Sequence, residues 1–391
     1  MKTLRQHILD LSYSSALEII RRGEARAGHI GPYEHPETPV RNTSHWLFAF
    51  ASCFEWSADD VFKKAALVCY EYLESDSARP MNASFYCRVG PDRDACNGLV
   101  GQAWAIEALC YASKVFDWPE ARELAKTTYQ LHPWIAKDSI WRRVACDGTR
   151  LSTDDTFNHQ LWFAAAAAQL EDKDATHCVE AFLSNVVAQA DIYPDGVIYH
   201  ASKLGYRGWR ARGVSARLDG MINAIWRMKN KGSLYSKSVG YHSFNLYALA
   251  MLYQKFPGHS YWSSKKFEKS LSVVAQDSFL KELNKSQYSW PYNPPGIEIA
   301  FALETFGRPM PNCQTWIDRQ VLYSFGKTSG SITAGCSSDV YTNEARIYEA
   351  ARLKNDYMLK IDDAVDVGFA NIHDRLELGA ANVALLKTVN E

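Results

Sequence analysis

The sequence contains no CxxC pair, no block of Lys and Arg residues, and no uncharged apolar stretch long enough to span a bilayer. Each absence removes a class. Without paired cysteines there is no zinc ribbon and no dithiol redox motif. Without a basic block, and with a formal net charge of −1, nothing asks for nucleic acid or another polyanion as partner. Without a long apolar run, no membrane association is expected. No glycine-rich phosphate loop follows a strand and opens a helix, and the His and Cys residues lack metal-ligand spacing, so no cofactor and no metal are expected. The nine cysteines are odd in number and scattered, which fits reduced thiols better than a disulfide framework. The N-terminal Met1–His7 leads into a mixed amphipathic stretch and lacks the apolar core of a signal peptide, so a cytoplasmic location is expected. Oligomeric state is left open.

What is abundant is apolar and aromatic surface. Hydrophobic residues make up 47% and charged residues 22%, enough for a large core and too apolar for disorder. There are 12 Trp and 21 Tyr. Most of these rings belong to a core. Some can line a sugar site, where a flat ring meets the C–H-bearing face of a pyranose and its polar tip meets hydroxyls.

One unit recurs along the chain. A polar or Gly-containing loop is followed by a helix that is apolar on nearly every side. Asn42–His45 precedes Trp46–Ala49, Asn97–Gly101 precedes Gln102–Ile106, and Thr153–Thr156 precedes Phe157–Leu170. Ser215 precedes Ala216–Met228, Tyr241–Ser243 precedes Phe244–Tyr253, Pro294–Gly296 precedes Ile297–Phe306, and Thr342–Asn343 precedes Glu344–Leu353. The starts fall roughly 50 to 60 residues apart, with one gap about half that, a spacing that holds two helices and two loops. Between them lie amphipathic segments such as Asp59–Leu73 and Trp118–Tyr129, whose polar faces suit an outer wall. The pattern predicts an all-α (α/α)6 toroid of six or seven helical hairpins, as a single domain over 1–391. Tyr193–Gly213, rich in glycine, reads as a long loop or short hairpin.

In such a ring, polar residues at the starts of inner helices gather at one rim. Asp94, Asn97, Asp154, Asp155, His159, Arg217, Asp219, His242, Asn245, Asn293 and Glu298 are of this kind. Each is by default a helix cap or a first-turn dipole partner. The densest group is Asp154 to Trp162, where Asp155, Asn158, His159 and Trp162 share a helix face. One acid of the pair caps the helix. The other, taken as Asp155, faces the cavity, where apolar walls favour its protonated form and suit it to general acid catalysis. A second group, Asp195–Ser202, delivers His200 from a short extended segment.

Asp155-Thr156-Phe157-Asn158, followed by Leu161 and an alanine run, resembles the Asp-Thr-x-x-Asn inner helix of the unsaturated glucuronyl and rhamnogalacturonyl hydrolases. Asp195-Gly196-Val197-Ile198-Tyr199-His200, with Ala211-Arg212-Gly213 after it, resembles that family's Gly-hydrophobic-Tyr-His loop and Arg-Gly helix start. Asp94 precedes Asp155 at a spacing similar to that of the family's two acids. The likeness covers roughly residues 90 to 225. The Trp residues flanking the family's Arg-Gly are replaced here by Arg210 and Ala216, with Trp209 one place early. The resemblance implies a cofactor-free hydration of a 4,5-unsaturated uronyl residue in an oligosaccharide or polysaccharide. Asp155 would be the proton donor, with Asp94 and His200 catalytic beside it. Asn158, His159, Trp162, Trp209, His242 and Glu298 would bind substrate, and Arg210, Arg212 or Arg217 would hold the uronate carboxylate. Three other readings stay open: a saturated-glycoside hydrolase using Asp155 with Glu298 or Asp94, a lyase or epimerase using His and Tyr, and a non-catalytic sugar-binding protein of a polysaccharide assembly system.

Overall fold

The computed structural model describes residues 2–90, 93–200, 231–335 and 337–361. Their architecture follows from two kinds of helix. The outer kind carries one apolar stripe and, in several of its helices, a side-chain cap. Helix α3 (Asp60–Glu74) starts where the Asp59 carboxylate accepts from the Val61 N–H, and it buries Phe62, Ala65, Ala66, Cys69, Tyr72 and Leu73. Helix α7 (Lys173–Asn185) is capped by Asp172 and buries Ala175, Val179, Phe182 and Leu183. Helices α1 (Leu4–Arg22), α5 (Pro119–Leu131), α10 (Lys265–Ser272) and α13 (Met310–Ser324) join this set, and two shorter helices, α8 (Lys231–Gly240) and α11 (Asp277–Lys285), lie between them in sequence.

The inner kind is buried on all sides. It comprises α2 (Val40–Ser57), α4 (Gly98–Phe116), α6 (Phe157–Ala167), α9 (His242–Lys255), α12 (Pro295–Thr305) and the segment that runs from α14 (Val340–Ala345) into a 3₁₀ turn, Arg346–Arg352. These six pack in sequence, α2 on α4, α4 on α6, α6 on α9, α9 on α12 and α12 on Arg346–Arg352, which returns to α2. The closed circuit is the (α/α)6 toroid the repeat predicted, with six inner segments among the described residues. The seventh predicted start, at Ser215, lies outside them.

Small residues permit the close approach. Ala164, Ala165, Ala166 and Ala167 on α6 are all buried. Short strands hold the ends: β1 (Lys2–Thr3) pairs antiparallel with β5 (Met358–Leu359). Strands β2 (Trp134–Ile135), β3 (Ile140–Val144) and β4 (Arg150–Thr153) form an antiparallel sheet whose last strand runs directly into Asp154. Buried glutamines fasten the loops to the inner helices. Gln102 accepts from the Phe85 N–H and donates to the Phe85 and Cys96 carbonyls. Gln160 does the same for Trp141, with a further bond to the Asp154 carbonyl. The Tyr193–Val197 turn is closed by two backbone bonds, and most of the predicted Tyr193–Gly213 loop lies outside the described residues. The eight described cysteines are free thiols. No helix among the described residues is long and apolar enough to cross a membrane.

The core holds several histidines in the neutral form. Burial pushes His7, His132 and His242 down to about 4, and holds His45 and His200 well below the ordinary imidazole value. These groups bind protons in the unfolded chain, near pH 6.5, before they do so in the fold. Their contribution to stability is therefore fully present above pH 6.5 and is lost as pH falls toward 4. Calorimetric Tm should fall between pH 7 and pH 5 as the unfolded chain takes up protons that these buried rings refuse. A Tm that stays flat across that interval would contradict the burial assigned to these rings.

Candidate functional site

Loops from the starts of the inner segments enclose a cavity of about 220 Å³. Its walls alternate rings with cations. Trp104, Tyr33, Tyr241, Phe244 and Tyr292 supply apolar faces, and Arg41, Arg88, Arg93, Lys237 and Arg346 supply charge. Asn97, Asn158, His35, His159 and His200 complete the polar lining. Among the described residues, no Asp or Glu lines it.

The carboxylates stand one layer behind. Glu37 accepts from Arg41 at 3.2 Å, and Arg41 also reaches His45 Nε2 and lies over the Trp104 ring at 4.3 Å. Asp94 faces Arg88 and accepts from Arg143 and from the Gly98 N–H. Glu298 and Glu349 both accept from Arg346 at the floor. Burial raises the pKa of both acids, and Arg346 opposes it. Two buried carboxylates thus share one guanidinium at the floor, and burial favours their protonated forms.

Asp154 organises the opposite side. One of its oxygens accepts from the Leu99 N–H at 3.0 Å and meets His159 Nδ1 at 2.9 Å. The other accepts from the Thr156 N–H at 3.2 Å. Burial alone would raise its pKa, but His159 and the two N–H groups outweigh burial and bring it down to about 2. The carboxylate is thus ionised at neutral pH. It fixes the His159 ring with Nδ1 toward the protein, leaving Nε2 as the nitrogen away from that contact. Access to this pair depends on the chain turning sharply: Asn97 and Gly98 both adopt left-handed backbone, with φ of 54° and 58°.

His200 comes from the loop after the Tyr193 turn, its N–H donating to Ser238. Its ring stacks on Tyr241 at 4.4 Å, and its Nδ1 is buried with no partner among the described residues. Burial, with Lys237 and His159 nearby, keeps it neutral. Asn158 is likewise buried, lines the cavity and has an unpartnered Oδ1. Among the described residues, both atoms are open to a further hydrogen bond.

The expectations from sequence are redistributed. Asn158, His159 and His200 line the cavity together. Asp155 does not face it: it stays exposed, accepting from Thr153, while Asp154 accepts from helix-start N–H groups, the kind of contact expected of it, and is buried behind His159. Asp94 sits behind Arg88, and Glu298 behind Arg346. Trp162 is fully buried behind Phe244, stacked on it at 4.4 Å. His242 clamps the hairpin instead of lining the site: its Nδ1 accepts from the Ile198 N–H and its Nε2 meets the Ser270 carbonyl. Trp209, Arg210, Arg212 and Arg217 lie outside the described residues. Sequence reasoning missed Arg41, Arg88, Lys237, Tyr241 and Arg346. Arg41 and Arg346 stand within a turn of predicted inner-segment starts, and that position was their available signal.

No family model matches the chain. Archaeal glycosylation protein Q of Haloferax volcanii is 38% identical over 367 residues, covering 91% of this chain and 98% of that protein. Among solved structures, the cellobiose 2-epimerase of Bacillus thermoamylovorans superposes with a TM-score of 0.56 at 11% identity, over 87% of this chain and 97% of that one. A D-mannose isomerase gives 0.55 at 12% identity, over 90% and 99%. An inactive variant of a Salegentibacter α-1,6-mannanase in complex with α-1,6-mannotriose gives 0.51 at 11% identity, over 89% and 98%. These likenesses show the shared toroid.

The Asp154–His159 pair leaves no room at Gly98. A Cβ there would lie 2.4 Å from Asp154 Oδ2 and 2.8 Å from His159 Nδ1, on a backbone that L side chains rarely adopt. G98A should cost on the order of 1–3 kcal/mol in chemical denaturation and displace the His159 resonance in NMR. Unchanged stability and an unshifted imidazole would show that the pair is not packed as described.

Proposed function

Because the chain belongs to the family of archaeal glycosylation protein Q, we propose that it is an enzyme of carbohydrate processing that moves a proton to or from a carbon atom of an acidic saccharide. The observation that carries this reading is the character of the acid–base groups at the cavity. They are imidazoles, one backed by an ionised carboxylate, and no described Asp or Glu lines the wall. A two-carboxylate glycosidase needs an acid and a base or nucleophile flanking the bond. An imidazole held by an ionised carboxylate is suited to passing a proton. The cationic lining favours a substrate that carries a carboxylate, and the rings favour a sugar. The names of the similar proteins, a glycosylation protein, an epimerase, an isomerase and a mannanase, point to the same substrate class.

Hydration of a 4,5-unsaturated uronyl residue is one reaction of this type. A proton goes from the imidazolium to one alkene carbon, the oxygen of water bonds to the other as water's spare proton returns to the imidazole, and the hemiketal opens to release the next sugar. With Asp155 exposed, His159 supplies the proton and Asp154 holds the imidazole. The presence of a second, neutral imidazole, His200, favours a further reading on the same cavity: isomerisation or epimerisation, in which one base removes a proton from carbon beside a carbonyl or carboxylate and the proton returns from the other side. Asn158 binds a hydroxyl in either case.

Incubation in D2O with a panel of unsaturated and saturated uronate saccharides, followed by mass spectrometry and NMR, tests the class. Deuterium bonded to carbon in the product is expected, and its position separates hydration from epimerisation. Cleavage without carbon-bound deuterium would contradict the proposal. D154N should lower turnover by roughly 10²- to 10⁴-fold with folding retained, and D155N should leave it near normal. The reverse pattern would return the proton donor to Asp155.

A further inference from the structure

The cavity's charges are not equivalent. Arg41, Arg88 and Arg346 each face a carboxylate of the protein: Glu37, Asp94, and the Glu298–Glu349 pair. Their charge is largely spent before any ligand arrives. Lys237 and Arg93 differ. Both line the cavity, and no carboxylate of the described residues forms an ion pair with either. The charged neighbour that Lys237 does feel is Arg93 itself, a like charge.

Lys237 is also held in an unusual place for an ammonium group. It lies half-buried on α8 (Lys231–Gly240), with its Nζ 5.2 Å from the ring centre of Tyr288, 5.3 Å from Tyr33 and 6.0 Å from Tyr241. Three ring faces partly replace its hydration and hold it in position. They do not neutralise it. Two cations of one cavity with no counter-ion among the described residues, one of them partly desolvated, repel each other unless an anion lies between them. The same Tyr241 that cages Lys237 carries the stacked His200 ring with its unpartnered Nδ1.

We infer that Lys237 and Arg93 form the anion subsite of this cavity, which takes the carboxylate of the sugar being transformed and so sets selectivity for an acidic over a neutral saccharide. The inference rests on the proposed acidic substrate and adds where its charge is read. Arg41 and Arg346, held by their own carboxylates, orient rings and loops instead. A carboxylate seated at Lys237 brings the carbon that bears it to the His200 side, because both side chains pack on one tyrosine.

The test is calorimetric binding of glucuronate, galacturonate and mannuronate, each paired with its methyl ester. The wild-type protein should prefer at least one acid over its ester. K237M keeps the aliphatic stem between the tyrosines and removes the charge, and it should cut the acid-to-ester affinity ratio about tenfold or more. Arg93 is exposed, so R93Q leaves the fold intact and should reduce the ratio in the same direction. A preference for acids that survives both substitutions overturns the subsite, as does a wild type with no preference for any acid. The deuterium experiment reads the catalytic proposal separately: acid binding that depends on Lys237 without carbon-bound deuterium would leave the subsite standing and remove the reaction.

Discussion

The carboxylate of Asp154 ties the start of α6 to the first turn of α4 and fixes a side chain of the cavity wall. It accepts from the first turn of α4 through Leu99, from the start of α6 through Thr156, and it holds the His159 ring. A buried, ionised carboxylate is costly unless every lone pair finds a donor. Here helix-start N–H groups, which have no partner within their own helix, meet that need. The hydrogen bonds outweigh burial, so the acid stays charged. In the proposed function, that charge would orient the His159 imidazole at the cavity wall for acid–base work. The β4 strand that delivers Asp154 and the Gln160 clamp on its carbonyl belong to the same support.

The ring makes this placement possible. Inner helices buried on all sides must turn their polar first residues toward one end, where the only relief from burial is a shared cavity. The six starts therefore converge. Most of the resulting charges are matched in pairs, cation in front and carboxylate behind, which keeps an arginine-rich wall compatible with a buried setting. Lys237, caged by tyrosines, and Arg93 at the mouth depart from that scheme, and the departure marks the place a ligand's charge would fill.

Much of the fold was legible in the sequence because it depends on periodicity. Helices apolar all round, such as the one containing Ala164 to Ala167, can only be inner, and capped helices with one apolar stripe, such as Asp60–Glu74, can only be outer. The site was legible in part. Asn158, His159 and His200 follow from position at a helix start or loop end. The choice between Asp154 and Asp155 did not, because adjacent residues at a cap differ only in which one the neighbouring helix's N–H groups attract, and Leu99 is 55 residues away. His242 and Glu298 read as rim residues by position, yet the hairpin and Arg346 occupy them from other parts of the chain. Lys237 was hidden for the converse reason: it lies at the end of a helix that precedes an inner one, and its cage is assembled from Tyr33, Tyr241 and Tyr288 on three separate segments.

The most direct test of the proposed site is a crystal structure with an unreactive uronate saccharide bound. It should show the sugar ring on the Trp104 and Tyr241 side of the cavity, a ring carbon within reach of His159 Nε2, and a hydroxyl on Asn158 Oδ1. The carboxylate should lie between Lys237 and Arg93. A uronate bound outside this cavity, or seated within it with His159 turned away from every ring carbon, would contradict the assignment of the Asp154–His159 pair as the acid–base centre.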